Sequence, residues 1–413
     1  MRRQLGVPLT AALLCMTAAI APGQDGELPR WRIDPYTKND PELMAKLGYV
    51  SYGPFGFGQR GREEVTTEQI DASLDYAQIL WVETEHFRIG TELGPWPTAS
   101  DSNTRQKLRG ELTRLKEILP KVNPKTGKLT PWLRLHLTAM RMEDLYREFL
   151  ELVGVDDSEF PAGKEDVIIG RGRYLGYGPY LGMTEKFLVL VTDRGTTYGD
   201  YMQRYIGKSG DFGQRWHFTG VGSLFYGTAT DLEGGRLKHD TALHCDLAFN
   251  VAHSLVDGFR HYSYDAPVWI TEGLAHWFQR RVDPRWNSFS QNESTVANKR
   301  PLWRWEAHTR KLIASGKFTP FSEVYTWRDF SQIDFDDHVL VWSRWDFLMS
   351  LGQPKFSEFL FHVKGRVDPE TWQVDQRDLV GATRTALRRT YGLTPLNLDD
   401  RWKAWVKENY SAQ

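Results

Sequence analysis

The sequence predicts an α+β protein in which a mixed α/β part comes first and a mainly helical part follows. The chain has 413 residues, of which 40% are hydrophobic and 25% are charged, as in a globular protein with a sizeable core. Short segments between residues 82 and 191 alternate between apolar and polar residues or are wholly apolar, which is typical of strands. From about residue 236, apolar residues recur every three or four positions, which predicts helices.

The N-terminal segment predicts export. Arg2 and Arg3 precede an apolar run that is too short to span a bilayer comfortably, and small residues follow it. We therefore expect residues 1–23 to be a secretory signal peptide and the protein to be secreted or periplasmic. Proline and glycine recur through residues 24–80, so we predict an irregular extension there.

Charge and cysteine content exclude several function classes. The 52 basic residues face 53 acidic ones, and this balance leaves no basic footprint for a nucleic acid. No segment after the predicted signal peptide is long and apolar enough to predict a membrane span. The 2 cysteines are too few for a disulfide scaffold.

Residues 81–230 form the predicted α/β part. Its strands are identified by alternation or by short apolar runs, and its helices by apolar residues on one face. The predicted strands are Val82–Ile89, Leu133–Leu137 and Phe187–Val191, and the predicted helices are Thr104–Leu119 and Met142–Val153.

Residues 231–413 form the predicted helical part, where apolar residues follow the helical period. The predicted helices are Arg236–Val256, Val268–Arg281, Trp303–Ala314, His338–Leu351, Lys355–Val363, Gly381–Thr390 and Leu398–Glu408.

The first two of these helices carry the residues best suited to chemistry. Phe249, His253 and Asp257 share one helix face, because positions four apart lie on the same side. Glu272 and His276 have the same spacing on the second helix. Histidine and carboxylate side chains at this spacing can converge on one metal ion.

The segment from Trp269 to Phe278 resembles the helix that supplies the glutamate zinc ligand in gluzincin metallopeptidases, which are peptidase MA-like proteins. Gluzincins carry HExxH on one helix and this glutamate after eighteen further residues. Counting back from Glu272 places His253 at the second histidine of HExxH. The five motif positions then read Phe249-Asn250-Val251-Ala252-His253.

Other segments extend the resemblance to roughly residues 80–410. Trp81–Ile89 is similar to the opening strand of secreted bacterial members, and Ala386–Tyr410 is similar to their closing helices. The helix at His338–Leu348 is similar to the one that bears a transition-state-stabilising tyrosine in many gluzincins, and His338 takes the tyrosine position. The resemblance implies a gluzincin-like architecture for the helical part.

The motif departs from the family at the residues that perform the reaction. A catalytic zinc of this type needs two neutral imidazoles, a carboxylate and an open position for water. Phe249 has no lone pair to offer, and Asn250 cannot take a proton from a zinc-bound water. We therefore expect a catalytically inactive homologue without a metal cofactor, whose cleft binds a peptide or a cell-envelope partner.

Two other functions stay open. The first is an active metal-dependent hydrolase in which His253, Glu272 and His276 bind zinc in a rearranged site. His276 can join such a site because it lies one turn beyond Glu272 on the same helix. Without a metal, His253 is a histidine that is hydrogen-bonded to Glu272. Carbohydrate binding is the other open function, because tryptophans can line a carbohydrate-binding groove. Packing between helices is the alternative explanation for these tryptophans. They are Trp303, Trp305, Trp327, Trp342, Trp345, Trp372, Trp402 and Trp405.

Overall fold

The structure is a computed structural model that describes residues 29–411 apart from 167–173, 264–265, 291–301, 369–370, 372, 374 and 376. The predicted signal peptide at residues 1–23 lies outside the described residues. The described part has the predicted α+β fold, in which a mixed sheet is combined with many helices.

Six strands form the main sheet. The strands of the described residues are β1 (Tyr49–Ser51), β2 (Gly56–Arg60), β3 (Glu63–Thr66), β4 (Leu80–Thr84), β5 (Phe87–Glu92), β6 (Trp96–Pro97), β7 (Lys128–Leu129), β8 (Phe187–Thr192), β9 (Gln214–Phe218) and β10 (Ser223–Ala229). The order across the sheet is β1-β4-β5-β8-β10-β9. The three central strands β5, β8 and β10 are parallel, and the outer strands pair antiparallel with their neighbours.

The helices pack around this sheet and continue to the C-terminus. They are α1 (Pro41–Lys46), α2 (Thr67–Ser73), α3 (Ser102–Ile118), α4 (Pro131–Val153), α5 (Gly195–Tyr201), α6 (Leu232–Gly235), α7 (Asp240–Gly258), α8 (Val268–Val282), α9 (Trp305–Ser315), α10 (Phe321–Val324), α11 (Phe335–Ser350), α12 (Gln353–Val363), α13 (Leu379–Ala386) and α14 (Leu398–Asn409). Each helix predicted within residues 231–413 coincides with a helix of the structure, although the ends differ by a few residues.

One hydrophobic cluster joins the two predicted parts of the chain. Ile89 and Val189 of the sheet belong to the same cluster of buried residues as Trp269 and Trp345 of the helical part. Helix α7 packs on α4 and β10, and α8 packs on both α7 and α11. The candidate site residues of α7 and α8 are therefore held next to α11.

The predicted strand Val82–Ile89 is wrong in its extent, because the chain turns within it. Glu85 and His86 form the turn between β4 and β5, which pair as an antiparallel hairpin. The Thr84 hydroxyl accepts a hydrogen bond from the Phe87 amide at 3.1 Å and closes this turn. His86 interrupts the strand pattern because it contacts Glu143 and Asp157 instead of adding to a sheet.

The predicted strand Leu133–Leu137 is wrong, because these residues lie inside α4. The alternation arises from Arg134 and His136, which are polar yet buried. Arg134 donates to the Gly94 carbonyl at 2.8 Å, and His136 lies 3.2 Å from the Asp34 carboxylate. A helix that is buried on every side at this point gives no amphipathic pattern.

The described residues 29–80 are more ordered than the irregular extension that we predicted for residues 24–80. They contain two short α-helices, the strand β1 and the hairpin of β2 and β3. The Asp40 side chain caps α1, with Pro41 in its first turn, while Thr66 and Gln69 form a capping box for α2. These elements are too short to show a period in the sequence.

The membrane prediction and the carbohydrate alternative both concern helices of the described part. Among the described helices, none has the length and apolar character that crossing a bilayer requires. Five of the candidate glycan-binding tryptophans are buried, which leaves their rings for core packing; these are Trp305, Trp327, Trp342, Trp345 and Trp402. Trp372 lies outside the described residues.

Gly273 sets how closely α8 approaches α11, and it provides a stability test. A Cβ at this position would overlap the Trp345 indole, which donates a hydrogen bond to the Trp269 carbonyl at 3.0 Å. Gly273→Ala is therefore expected to lower the free energy of unfolding by about 1–3 kcal/mol, as measured by urea denaturation.

The matched control is Gly110→Ala in α3, where no other residue lies within 4 Å of an added Cβ. Its expected effect has the opposite sign, a gain of about 0.5–1 kcal/mol from helix propensity. Equal stabilities for the two variants would contradict the packing described for α8 and α11.

His86 makes stability depend on pH. Burial opposes its charged form, but hydrogen bonds to Asp157 and Glu143 raise the pKa of His86 to about 9, from 6.5. Because the pKa is raised in the folded state, this contribution is complete below about pH 6.5 and is lost as the pH rises through about 9. Because Asp157 is partly exposed, solvent weakens this interaction. We expect the ion pairs of His86 to contribute about 2 kcal/mol to the free energy of unfolding.

Unfolding free energies at about pH 6 and about pH 9.5 test this contribution. The wild-type protein is expected to lose more stability over this interval than His86→Gln, whose side chain does not titrate. The same pH dependence in both proteins would show that the His86 ion pairs do not carry it.

Candidate functional site

The candidate site lies where α7, α8 and α11 meet. Helix α7 contributes Phe249 and His253, α8 contributes Glu272 and His276, and α11 contributes His338. Glu272 and His276 are 0% exposed, His253 is 1% exposed and His338 is 3% exposed. The structure therefore brings together the three predicted metal ligands and the histidine that was predicted for a different role.

The Glu272 carboxylate is the centre of this cluster. Its Oε1 atom lies 3.3 Å from His253 Nε2, while its Oε2 atom lies 3.4 Å from His338 Nδ1 and 3.7 Å from His276 Nε2. His276 Nε2 and His338 Nδ1 are 3.1 Å apart. Within the described part of the chain, neither carboxylate oxygen receives a well-aligned hydrogen bond.

Burial and charge set the protonation of this cluster. Burial raises the pKa of Glu272, but His253 and His338 lower this pKa by a larger amount. The pKa of the carboxyl therefore lies well below its ordinary value, and the group is ionised. Burial lowers the pKa of His253 to about 4, and nearby Arg215 acts in the same direction. Burial also places the pKa of His276 well below its ordinary value. An ionised carboxylate therefore faces His253 and His276 as neutral imidazoles near pH 7.

Hydrogen bonds fix the orientation of His276. The side-chain amide of Gln279 donates a hydrogen bond to the Cys245 carbonyl at 3.3 Å. This hydrogen bond directs the Oε1 atom of Gln279 toward His276 Nδ1, which lies 3.3 Å away. His276 Nδ1 therefore carries the proton, and the lone pair of Nε2 points toward Glu272 and His338. A metal-binding histidine needs this kind of support behind the ring.

Phe249 and Asn250 make packing and hydrogen-bonding contacts rather than the contacts of a catalytic motif. The Phe249 ring is fully buried and packs against two imidazoles, 5.0 Å from His253 and 4.9 Å from His276 between ring centres. Asn250 accepts a hydrogen bond from Arg215 at 2.6 Å and donates one to the Asp246 carbonyl at 3.1 Å. The Phe249 side chain is therefore used for packing, and the Asn250 side chain is used for hydrogen bonding.

Arg215 and Ser290 belong to the site, although the sequence did not identify them. Arg215 comes from the edge strand β9 and donates to both Asn250 and the Ser290 hydroxyl, the latter at 2.8 Å. Ser290 in turn lies 3.3 Å from His253 Nε2. Neither residue belongs to a motif, and only the fold brings them to α7.

Two groups of described residues have the geometry to hold a metal ion. In the first, Glu272, His276 and His338 place one ligand atom each within 4.8 Å of the others, and His253 lies beside this group. The second consists of Glu85, His86 and Asp157. Both ring nitrogens of His86 face carboxylates at 2.7 and 3.1 Å, so its imidazole is a proton donor and has no lone pair for a metal.

Comparison with family models and with curated proteins identifies no match for this chain.

Proposed function

We propose that this protein is an exported, gluzincin-like protein that has lost peptidase chemistry and acts by binding a peptide or a cell-envelope partner. The observation that carries the proposal is Asn250, which stands where the resemblance requires a glutamate base and whose carboxamide is held by Arg215. The adjacency of His253 and Glu272 supports the kinship, because the resemblance requires these two residues to meet.

Hydrolysis of a peptide bond requires a group that takes a proton from the attacking water and returns it to the leaving amine. A carboxamide does not titrate in the required range. Glu272 is ionised, but it is 0% exposed and surrounded by imidazoles and aromatic rings. Among the described residues this carboxylate is fully buried, so a substrate carbonyl does not reach it.

The edge strand β9 supports a binding role. It is the outermost strand on its side of the main sheet, and no other described strand pairs with its free side. An extended peptide can add to such an edge through main-chain hydrogen bonds. A peptide bound there would lie near Arg215, which connects β9 to Asn250 on α7.

A peptide-library assay tests the loss of hydrolysis. Wild-type protein and Glu272→Ala are expected to produce no cleavage beyond that of a buffer control, with or without a chelator. Cleavage that disappears with a chelator and in Glu272→Ala would contradict the proposal. For the binding role, we expect the immobilised protein to retain library peptides without cleaving them.

Restoring the motif tests the alignment. Phe249→His with Asn250→Glu is expected to create zinc affinity at the motif position, because it adds the missing imidazole. Little hydrolysis is expected, since Arg215 would pair with the new carboxylate and lower its basicity. Adding Arg215→Gln removes this ion pair and is expected to raise any hydrolysis. No gain in zinc affinity in a folded double variant would contradict the alignment.

A metal-dependent hydrolase with zinc on His253, Glu272 and His276 is the second candidate. The observation that favours it is the convergence of neutral imidazole nitrogens on one buried carboxylate. Zinc is the ion that prefers such nitrogen and oxygen ligands, and it would supply a polarised water. The peptide-library assay separates this candidate from the first, because only the second predicts chelator-sensitive cleavage.

A further inference from the structure

A cluster of metal-binding side chains lies beside the motif position and is built from different residues. Glu272 and His276 are four residues apart on α8, and His338 reaches them from α11. Only Glu272 occupies a position where the resemblance requires a zinc ligand. The two histidines therefore form an arrangement that the motif does not describe.

The distances within this cluster match a metal coordination shell. A tetrahedral site with metal–ligand bonds of about 2.0–2.1 Å places its ligand atoms about 3.3 Å apart. The three ligand atoms of Glu272, His276 and His338 are 3.1, 3.4 and 3.7 Å apart. Small side-chain adjustments suffice to place all three at bonding distance from one ion.

The carboxylate at the centre is the observation that points to a ligand. Glu272 is 0% exposed, and within the described part of the chain neither of its oxygens receives an aligned hydrogen bond. A buried carboxylate without a counter-charge or hydrogen bonds is strongly destabilising. A divalent cation between Glu272 and the two histidines would compensate this charge directly.

The surroundings favour a closed site. Phe289 packs on both histidines, with ring centres 5.4 Å from His276 and 5.0 Å from His338, and the Trp305 ring lies 4.9 Å from His276. These rings keep bulk solvent away from the cluster, so one enclosed water would complete a tetrahedral site on the three side chains. The Gln279 carbonyl oxygen already faces His276 Nδ1 on the side away from the cluster. Structural metal sites share this enclosure and this second layer of hydrogen bonds.

We infer that Glu272, His276 and His338 bind one divalent transition-metal ion of the zinc class in a closed site that links α8 to α11. His253 is not a ligand in this set, because its Nε2 atom faces the other carboxylate oxygen and the Ser290 hydroxyl. The ion has a structural role, so the inference does not depend on the binding role proposed above.

Metal analysis of the purified protein, followed by Co²⁺ titration after chelator stripping and refolding, tests this site. We expect about one equivalent of metal per chain and a tetrahedral Co²⁺ absorption spectrum. His338→Asn should weaken Co²⁺ binding by more than about 100-fold, because it removes a ligand rather than a supporting group. His253→Asn is the comparison variant, and its affinity should fall by less than about 100-fold, because His253 supports the Glu272 carboxylate without being a ligand.

Three results would overturn the inference. These are a folded wild-type protein without metal or a Co²⁺ spectrum, unchanged binding in His338→Asn, and loss of binding only in His253→Asn. If the variants do not fold, a crystal structure of the wild-type metal form decides, because His338 Nδ1 as a ligand supports the site and His253 Nε2 as a ligand contradicts it. Chelator-sensitive peptidase activity would contradict the proposed function alone, whereas absence of metal would contradict this site alone.

Discussion

The burial of the Glu272 carboxylate is the constraint on which the helical part of this protein depends. A charge that is 0% exposed has to be compensated within its immediate surroundings, where imidazoles from α7, α8 and α11 face it and the inferred cation would supply the opposite charge. Two of these helices, α8 and α11, also pack closely at the site, because Gly273 allows the Trp345 indole to lie directly on α8. Electrostatics and packing therefore impose the same arrangement of helices, and a change in one affects the other.

The positions that the resemblance assigns to a metallopeptidase reaction serve other contacts in this structure. Phe249 fills space against His253 and His276, and Asn250 links α7 to Arg215 on the edge strand. These contacts stabilise the connection between the sheet and α7. In the proposed function, Asn250 takes the place of the base and also connects α7 to the edge strand.

The sequence predicted the helical part well, because amphipathic helices carry a period that one sequence shows. It failed for Leu133–Leu137, where buried Arg134 and His136 imitate a strand, and for the turn at Glu85 and His86. Within the site, His253, Glu272 and His276 were found from spacing on two neighbouring helices. The position of His338 against Glu272, and the contact of Arg215 with Asn250, depend on tertiary packing, and no local pattern encodes them.

The most direct test of this account is a crystal structure of the purified protein with anomalous scattering measured at the absorption edge of the bound metal. The account predicts one anomalous peak within about 2.2 Å of His276 Nε2, His338 Nδ1 and a Glu272 oxygen, with the Phe249 ring against His253. A peak coordinated by His253 while His338 points away would contradict the account. So would an ordered site in which Glu272 is hydrogen-bonded to the histidines and no peak is present.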